Sequence, residues 1–413
     1  MARSLKILLH GVNYAPEAVG IGKYTTEMAE WLAARGHDAR IVTAPPYYPA
    51  WRIAEGYAKS ARGREMLNGV SVRRTPIYVP QRPSGVKRIL HHVSWLAASA
   101  IPLLRTAQAH KPDVVFAIAP SLAGAPAALA AARLTGAKSW VHVQDFEVEM
   151  AKASGLVKAG AAIKAGLLIE RILFNQFDVA SSISPKMCAL LNEKRRTADA
   201  VFEFRNWVDT DDIRPLQNVP SPYRAQWRIA KEEIVCLYSG AISNKQGLET
   251  VIDAARLLQN KPIRFVICGQ GPGADAIRAR AEGLNTVTFM TFQPAERLNA
   301  LLNAADIHLL PQKADAADLV LPSKLTGMLA SGRPVIAGAA PGTGLSAEVN
   351  GCGVSVPPGD ATALAAAIET LARDENQRRR LGAAARRQAC RVWDKKAILE
   401  RFETQLLDLA APR

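Results

Sequence analysis

One pattern constrains this chain more than any other. Short apolar runs of strand length alternate with segments of helical period, stop at a proline-rich stretch, and then resume. In the first half the strand-like runs are LKILLHG (5–11), ARIVTA (39–44), DVVFAI (113–118), SWVHVQD (139–145) and VASSIS (179–184). Between the first two, Tyr24, Met28, Trp31, Leu32 and Arg35 lie along one helical stripe, and Gly36 is a fitting stop. Asn68-Gly69, between apolar residues, reads as a hairpin turn. The stretch NWVDTDDIRPLQNVPSPY (206–223) then has linker composition. The alternation restarts at EIVCLYSGA (233–241), RFVICGQGPG (264–273), TVTFMT (286–291), DIHLLP (306–311) and RPVIAG (333–338). Leu248, Val251, Ile252, Ala255 and Leu258 are spaced for the buried face of one intervening helix. Strands alternating with helices argue for parallel, doubly wound α/β sheets. The architecture expected is two Rossmann-like domains, residues 1–205 and 206–390, and a last helical segment, 391–413.

The length of 413 residues suits two domains. With 49% apolar and 22% charged residues, the chain is globular rather than disordered, collagenous or coiled-coil. Five dispersed cysteines with no CxxC spacing indicate neither a disulfide framework nor a zinc site, so a reducing cytoplasm is expected. The first residues, MARSLKILLHGV, lack a signal-peptide pattern. The uncharged stretch Val114 to Ala132 is divided by Pro120, Gly124 and Pro126 and reads as core.

The net charge of +15 is unevenly spread. Residues 1–206 carry 27 basic against 15 acidic side chains, and the remainder 25 against 22. An anionic partner for the first half and simple solubility both fit that excess. VKRILHHVSWLAASAIPLLR (86–105) and GLVKAGAAIKAGLLIERILF (155–174) are apolar helical segments flecked with Lys and Arg, Lys158 and Lys164 among them. That composition suits helices on an anionic membrane surface, and interior helices share it. Nucleic acid is not indicated, because no recognised module appears and the basic residues lack interleaved aromatics.

Several turns are candidates for chemistry. After residues 233–239, Gly240 permits a tight strand-to-helix turn, and Lys245 stands beside Gly247 before a helix. Such a turn makes either a diphosphate cradle or an ordinary loop with a solvated lysine. The next turn, CGQGPG, carries Gly269 and Gly271 but departs from the dinucleotide fingerprint. Pro322-Ser323 marks a helix start beside Lys324, and Gly332 its end, which makes a second anion-facing helix terminus or a capped structural helix. In the first half, Gly20 and Gly22 immediately precede a helix. Asp145, Glu147 and Glu149 follow a strand, and carboxylates there are commonly placed as a catalytic base or a hydroxyl contact. A solvated acidic loop is the plainer reading for Glu149. His142 reads as a core histidine, and His91-His92 as neither a metal pair nor a catalytic pair.

Together the Gly20-Ile21-Gly22 loop, NWVD (206–209), SGAISNKQGLE (239–249), CGQGPG (268–273), PSKLTGMLASGRPVIAG (322–338) and GCGVSVPPGD (351–360) resemble the GT-B retaining glycosyltransferases of family 4. HVQDFEVEMA and LVLPSKLTGMLASG are most similar to the colanic-acid-type exopolysaccharide enzymes. The resemblance implies a nucleotide-sugar donor in the C-terminal domain, an acceptor on the N-terminal domain, no metal or other cofactor, and a last helix returning to the first domain. Carried over by position, Lys245 neutralises the donor diphosphate, and Gly20, Gly22, Gly240, Gly269, Gly271, Ser323, Lys324 and Leu325 line the donor. Asp145 falls at the acceptor side with Gln144 and Glu147. Two departures stand out. The family's paired glutamates fall at Leu319 and Gly327, with Asp315 or Asp318 as substitutes, and its arginine after the Gly240 turn is replaced by Ala241 and Ile242.

The expectation is a cytoplasmic enzyme, peripherally bound to the membrane, that glycosylates a polyprenyl-diphosphate-linked saccharide. A nucleotide-sugar 2-epimerase of the same fold and a non-catalytic sugar-nucleotide-binding assembly protein stay open.

Overall fold

A computed structural model describes residues 3–57, 63–81, 85–119, 122–146, 148–149, 160–196, 201–216, 219, 221–243, 246–314 and 321–411. The chain divides into two compact units, Met1–Asn206 with Ala397–Arg413, and Trp207–Lys396. Residues 391–396, which the sequence pattern joins to the last segment, thus group with the second unit.

The first unit is built on eight strands: β1 (Lys6–His10), β2 (Asp38–Thr43), β3 (Arg64–Leu67), β4 (Val70–Arg74), β5 (Val114–Ala119), β6 (Lys138–Val143), β7 (Val179–Ser182) and β8 (Val201–Glu203). Their order is β3-β4-β2-β1-β5-β6-β7-β8, and every pair is parallel except β3 with β4. The Asn68-Gly69 hairpin forms with both residues at positive φ, 46° and 82°, as a two-residue turn between right-twisted strands requires. All six residues of β5 are buried, as expected of a central parallel strand covered on both faces. Within the Val114–Ala132 stretch, β5 is fully buried and the Ala125–Thr135 helix buries Ala125, Ala127, Ala128, Leu129, Ala131 and Ala132.

The helix after β1 runs from Gly20 to Ala34, so Gly20 and Gly22 form its first turn rather than the loop before it. Tyr24, Met28 and Leu32 are buried on it, whereas Arg35 turns outward to pair with Glu403 (3.0 Å). Glu403 belongs to the Lys395–Leu409 helix, whose Phe402 stacks on Phe204 (4.2 Å between ring centroids) and meets Phe116 and Trp140 edge-on. His142 is the core histidine expected, bonded to Ser181 Oγ at 2.9 Å and held neutral by burial.

The second unit has six parallel strands: β9 (Ile234–Ser239), β10 (Ile263–Cys268), β11 (Val287–Met290), β12 (Ile307–Leu310), β13 (Val335–Gly338) and β14 (Gly353–Val356), in the order β11-β10-β9-β12-β13-β14. All five apolar residues expected on the helix after β9 are buried, four of them on Leu248–Leu257 and Leu258 at its cap. β8 and β14, edge strands of three and four residues, are not among the strands read from sequence. Among the described residues, no helix is long and apolar enough to cross a membrane.

Candidate functional site

In an open parallel sheet, ligands gather where the strand order reverses, beyond the carboxyl ends of the two strands flanking that point. The reversal lies between β9 and β12 in the second unit and between β1 and β5 in the first. The loops beyond these ends carry most of the residues singled out by sequence.

In the second unit the turn after β9 is laid directly on the turn after β10. Gly240 N–H donates to Cys268 O and Ile242 N–H to Gln270 O, both at 2.9 Å, prolonging the β9–β10 ladder past the strand ends. This contact explains two glycines. A Cβ on Gly269 would stand 1.9 Å from Gly240 O, and one on Gly271 2.2 Å from Ile242 O. The close backbone approach they permit is between two loops of the protein.

Gly240 itself, at φ 153°, has the Lys324 side chain against it, with Nζ 2.8 Å from where a Cβ would lie. Lys324 opens the Lys324–Ala330 helix, and its Nζ donates to Tyr238 Oη at 2.7 Å and to Gln246 Oε1 at 3.0 Å. Tyr238 is fully buried, and its hydroxyl donates in turn to Ala241 O at 2.6 Å. Burial pushes the phenol far above its ordinary range, so it stays neutral and offers Lys324 a lone pair. Gly240 and Lys324, chosen separately from sequence, are thus one arrangement, with Tyr238 and Gln246 as members that sequence reasoning missed. Tyr238 is hidden in the strand pattern because an aromatic there reads as core.

Ser323 sits at the N-cap position of this helix but its side chain caps no N–H. The Leu325 side chain is fully buried and its N–H donates to Pro322 O (3.0 Å). Gly327 faces Leu302, 3.3 Å from where a Cβ would lie. Lys245, Asp315, Asp318 and Leu319 lie outside the described residues. A crevice at the ends of β12 and β13, lined by Thr250, Gln312, Gly338 and Pro357, offers about 10 Å³, room for one water rather than a nucleoside.

In the first unit the β1 loop is organised by Glu17, a buried carboxylate absent from the sequence expectations. Its Oε1 accepts from Tyr47 N–H (2.8 Å) and Tyr48 N–H (2.9 Å), and Oε2 from Asn13 Nδ2 (2.8 Å). Burial raises its pKa, opposed by those hydrogen bonds. A Cβ on Gly22 would stand 2.7 Å from this carboxylate, so Gly22 is small to admit Glu17. Gly20, at φ 62°, lies under the Tyr48 ring. Beyond β6, Gln144 is buried, with its N–H on Ala119 O (3.3 Å). Asp145 is half-buried and close enough to Tyr48 to raise its phenol pKa, behind the larger effect of burial. Asp145 and Gly20 thus both neighbour Tyr48, whereas Glu147 lies outside the described residues. Glu149 is no solvated loop residue. It shares Lys194 with Glu170, whose Oε2 accepts from Lys194 Nζ at 2.8 Å.

No group of described residues has the composition and spacing to hold a metal ion.

Comparison with known proteins bears on what these loops serve. The family described as Glycosyl transferase 4-like domain matches residues 19–207, and that described as Glycosyl transferases group 1 matches residues 221–388. The chain is 39% identical over 411 residues to the putative colanic acid biosynthesis glycosyl transferase WcaI of Escherichia coli strain K12, covering 96% of this chain and 98% of that protein. Among solved structures, sucrose-phosphate synthase from Thermosynechococcus elongatus superposes with a TM-score of 0.77 at 19% identity, over 98% of this chain and 99% of that one. Anabaena HepE, in complex with UDP and glucose, gives 0.71 at 18% identity, over 98% and 100%. At these identities the structural likeness shows the shared GT-B fold.

Proposed function

We propose, from the premise that this chain belongs to the glycosyltransferases of group 1 with a 4-like N-terminal domain, that it moves a sugar from a nucleotide-sugar donor to a polyprenyl-diphosphate-linked saccharide in exopolysaccharide biosynthesis. The observation that carries this reading is the likeness to WcaI, which covers 96% of this chain and 98% of that protein. The HepE complex with UDP and glucose supports a nucleotide-sugar donor.

In the reaction an acceptor hydroxyl bonds to the anomeric carbon while the bond from that carbon to the donor diphosphate breaks, and the hydroxyl proton leaves with a base or the departing diphosphate. Negative charge grows on the diphosphate, so fixed cations lower the barrier most. In the second unit Lys324 is a cation held in place by two side chains, and Lys245 is assigned to the same task. Asp145 is assigned to the acceptor side, and the anomeric configuration is retained. Under this reading no metal or other cofactor is used.

Attachment to the cytoplasmic face of the membrane is part of the proposal. On the Gly85–His110 helix Val86 and Ile89 are 79% and 62% exposed, and Leu90, Val93 and Ile101 are exposed with them. On the Ala161–Phe174 helix Leu168, Ile169 and Ile172 are exposed, with Lys164 and Arg171 beside them. Apolar side chains interleaved with cations suit an anionic bilayer surface. Lys158 lies outside the described residues.

A thermal-shift panel of UDP-, GDP- and dTDP-sugars tests the donor, and transfer from the stabilising sugar to a lipid-linked saccharide tests the reaction. Lys245→Ala is expected to lower turnover about 10²–10³-fold, as loss of one preorganised stabilising group does, without changing the melting temperature. Near-normal turnover in that variant refutes the assignment of Lys245. Conversion of a nucleotide sugar without acceptor identifies an epimerase instead.

A further inference from the structure

The hairpin at the edge of the first sheet sets two arginines against each other. In the register of β3 with β4, Arg64 stands directly opposite Arg73, and Met66 opposite Ser71. Side chains alternate along a strand, so these four share one face, while Glu65 and Arg74 pair on the other. Like charges directly opposite each other in an antiparallel pair are destabilising. On the neighbouring β2, Arg40 is in register with Ser71 and is already paired with Asp38 (3.0 Å).

A third arginine comes to the same face from the Gly85–His110 helix. Arg73 is half-buried, and its Nη1 lies 3.5 Å from Thr106 Oγ1, a hydroxyl that donates its own proton to Pro102 O at 2.7 Å. Arg105 directly precedes Thr106 and is exposed. Burial, and after it the charges of Arg64 and Arg105, hold the Arg73 pKa below its ordinary value. No carboxylate of the described residues pairs with any of the three. Exposed arginines without a carboxylate partner occur singly elsewhere in the unit, Arg171 among them. What sets this place apart is convergence: a cross-strand pair of arginines, one of them half-buried, with a third on the helix that touches it. Ser71, half-buried on the same face, has a hydroxyl that no described residue engages.

A fold that gathers three guanidinium groups and brings them no acid leaves their charge to be balanced by an anion from outside the chain. We propose that Arg64, Arg73 and Arg105 form a phosphate-binding site on the hairpin face that Thr106 abuts, with the Ser71 hydroxyl as a further donor. Guanidinium forks make paired hydrogen bonds to phosphate oxygens, and a tetrahedral phosphate can accept from several forks at once. None of these residues lies in the loops beyond β1, β6, β9 or β10, so the site is independent of the donor and acceptor assignments. Its phosphate belongs either to a soluble phosphate ester or to a phospholipid headgroup. In the second case the exposed Met66 (66%) and Ile101 (60%), the latter one helical turn before Arg105, would meet the lipid.

Calorimetric titration of the full chain with inorganic phosphate, at constant ionic strength in chloride, tests the site. Arg73→Gln and Arg105→Gln are each expected to bind phosphate about tenfold more weakly than the wild type, the scale of one hydrogen bond to a charged group. Arg171→Gln is expected to titrate like the wild type. Melting temperatures report folding, and Arg105→Gln, an exposed change, carries the test should Arg73→Gln not fold. Sedimentation with phosphatidylcholine vesicles containing phosphatidic acid or phosphatidylglycerol, at matched surface charge, separates the two sources. A preference for phosphatidic acid that Arg105→Gln abolishes supports the site and assigns the headgroup. Phosphate binding that Arg105→Gln weakens, with no vesicle preference, supports the site and assigns a soluble ester. Phosphate binding and vesicle binding that are both unchanged in Arg105→Gln, or absent from the wild type, overturn the site.

Discussion

Tyr238 shows how a residue that never reaches the surface can set the charge of a site. Its hydroxyl faces Ala241 O on one side and Lys324 Nζ on the other, so Tyr238→Phe removes one fixed partner of the ammonium and leaves the ring packed. The expected result is a roughly tenfold loss of kcat/KM for the donor, the value of one hydrogen bond to a charged group, with the fold retained. Steady-state kinetics with circular dichroism checks it, and unchanged kinetics would mean that Gln246 alone places Lys324. The glycines at 240, 269 and 271 were legible in the sequence as places where backbone must come close. What they come close to was not, since a glycine states how little space is available and says nothing of the neighbour. Glu17 was illegible for a related reason: a single carboxylate in an apolar loop looks solvated until Tyr47 and Tyr48, thirty and thirty-one residues on, bring it their N–H groups.

At the scale of elements, the segment after β6 is anchored by a small ion cluster. Lys194 reaches Glu149 and Glu170 together and lies 5.5 Å from the Phe146 ring centroid. Glu170 is nearly fully buried, and burial raises its pKa against the pull of Lys194. Lys194→Met strands two carboxylates, and breaking a buried pair from one side costs about 3–5 kcal/mol. Urea unfolding at pH 7 is expected to show that loss, and the loss shrinks in acid as the stranded Glu170 takes up a proton. A deficit independent of pH would mean that lost packing, rather than charge, sets the cost. Helix and strand positions were readable here because burial on both sheet faces leaves long apolar runs. The edge strands β8 and β14 were not, since VFE and GVSV are short and mixed and neither lies in a longer apolar run.

At the scale of the whole molecule, the chain stores acid sensitivity in both units. His10 and His142 in the first and His308 in the second are fully buried, and each is pushed down to about 3 by desolvation. The unfolded chain binds these protons below about pH 6.5 while the folded one refuses them, so stability is intact above that value. It is lost as pH falls from about 6.5 toward 3, at roughly 1.4 kcal/mol per pH unit for each histidine. Denaturant melts across that window check the sign, and a flat profile would refute it. The last helix is expected to be indispensable to the first unit: Phe402→Ala removes a ring stacked on Phe204 and should cost about 3–5 kcal/mol in thermal or urea unfolding. A loss below 1 kcal/mol, by the same scale, would mean the helix is dispensable. By itself the sequence determined two doubly wound α/β units, the helical faces that fill them and the glycine turns at the strand ends, because periodicity and glycine placement are local consequences of backbone sterics and burial. Only the tertiary structure decided that Gly240 makes room for Lys324, that Glu17 holds Tyr48 near Gly20, and that residues 397–413 pack with the first unit. Those contacts join residues distant in the chain, and their energy depends on which surfaces packing brings together rather than on any local preference.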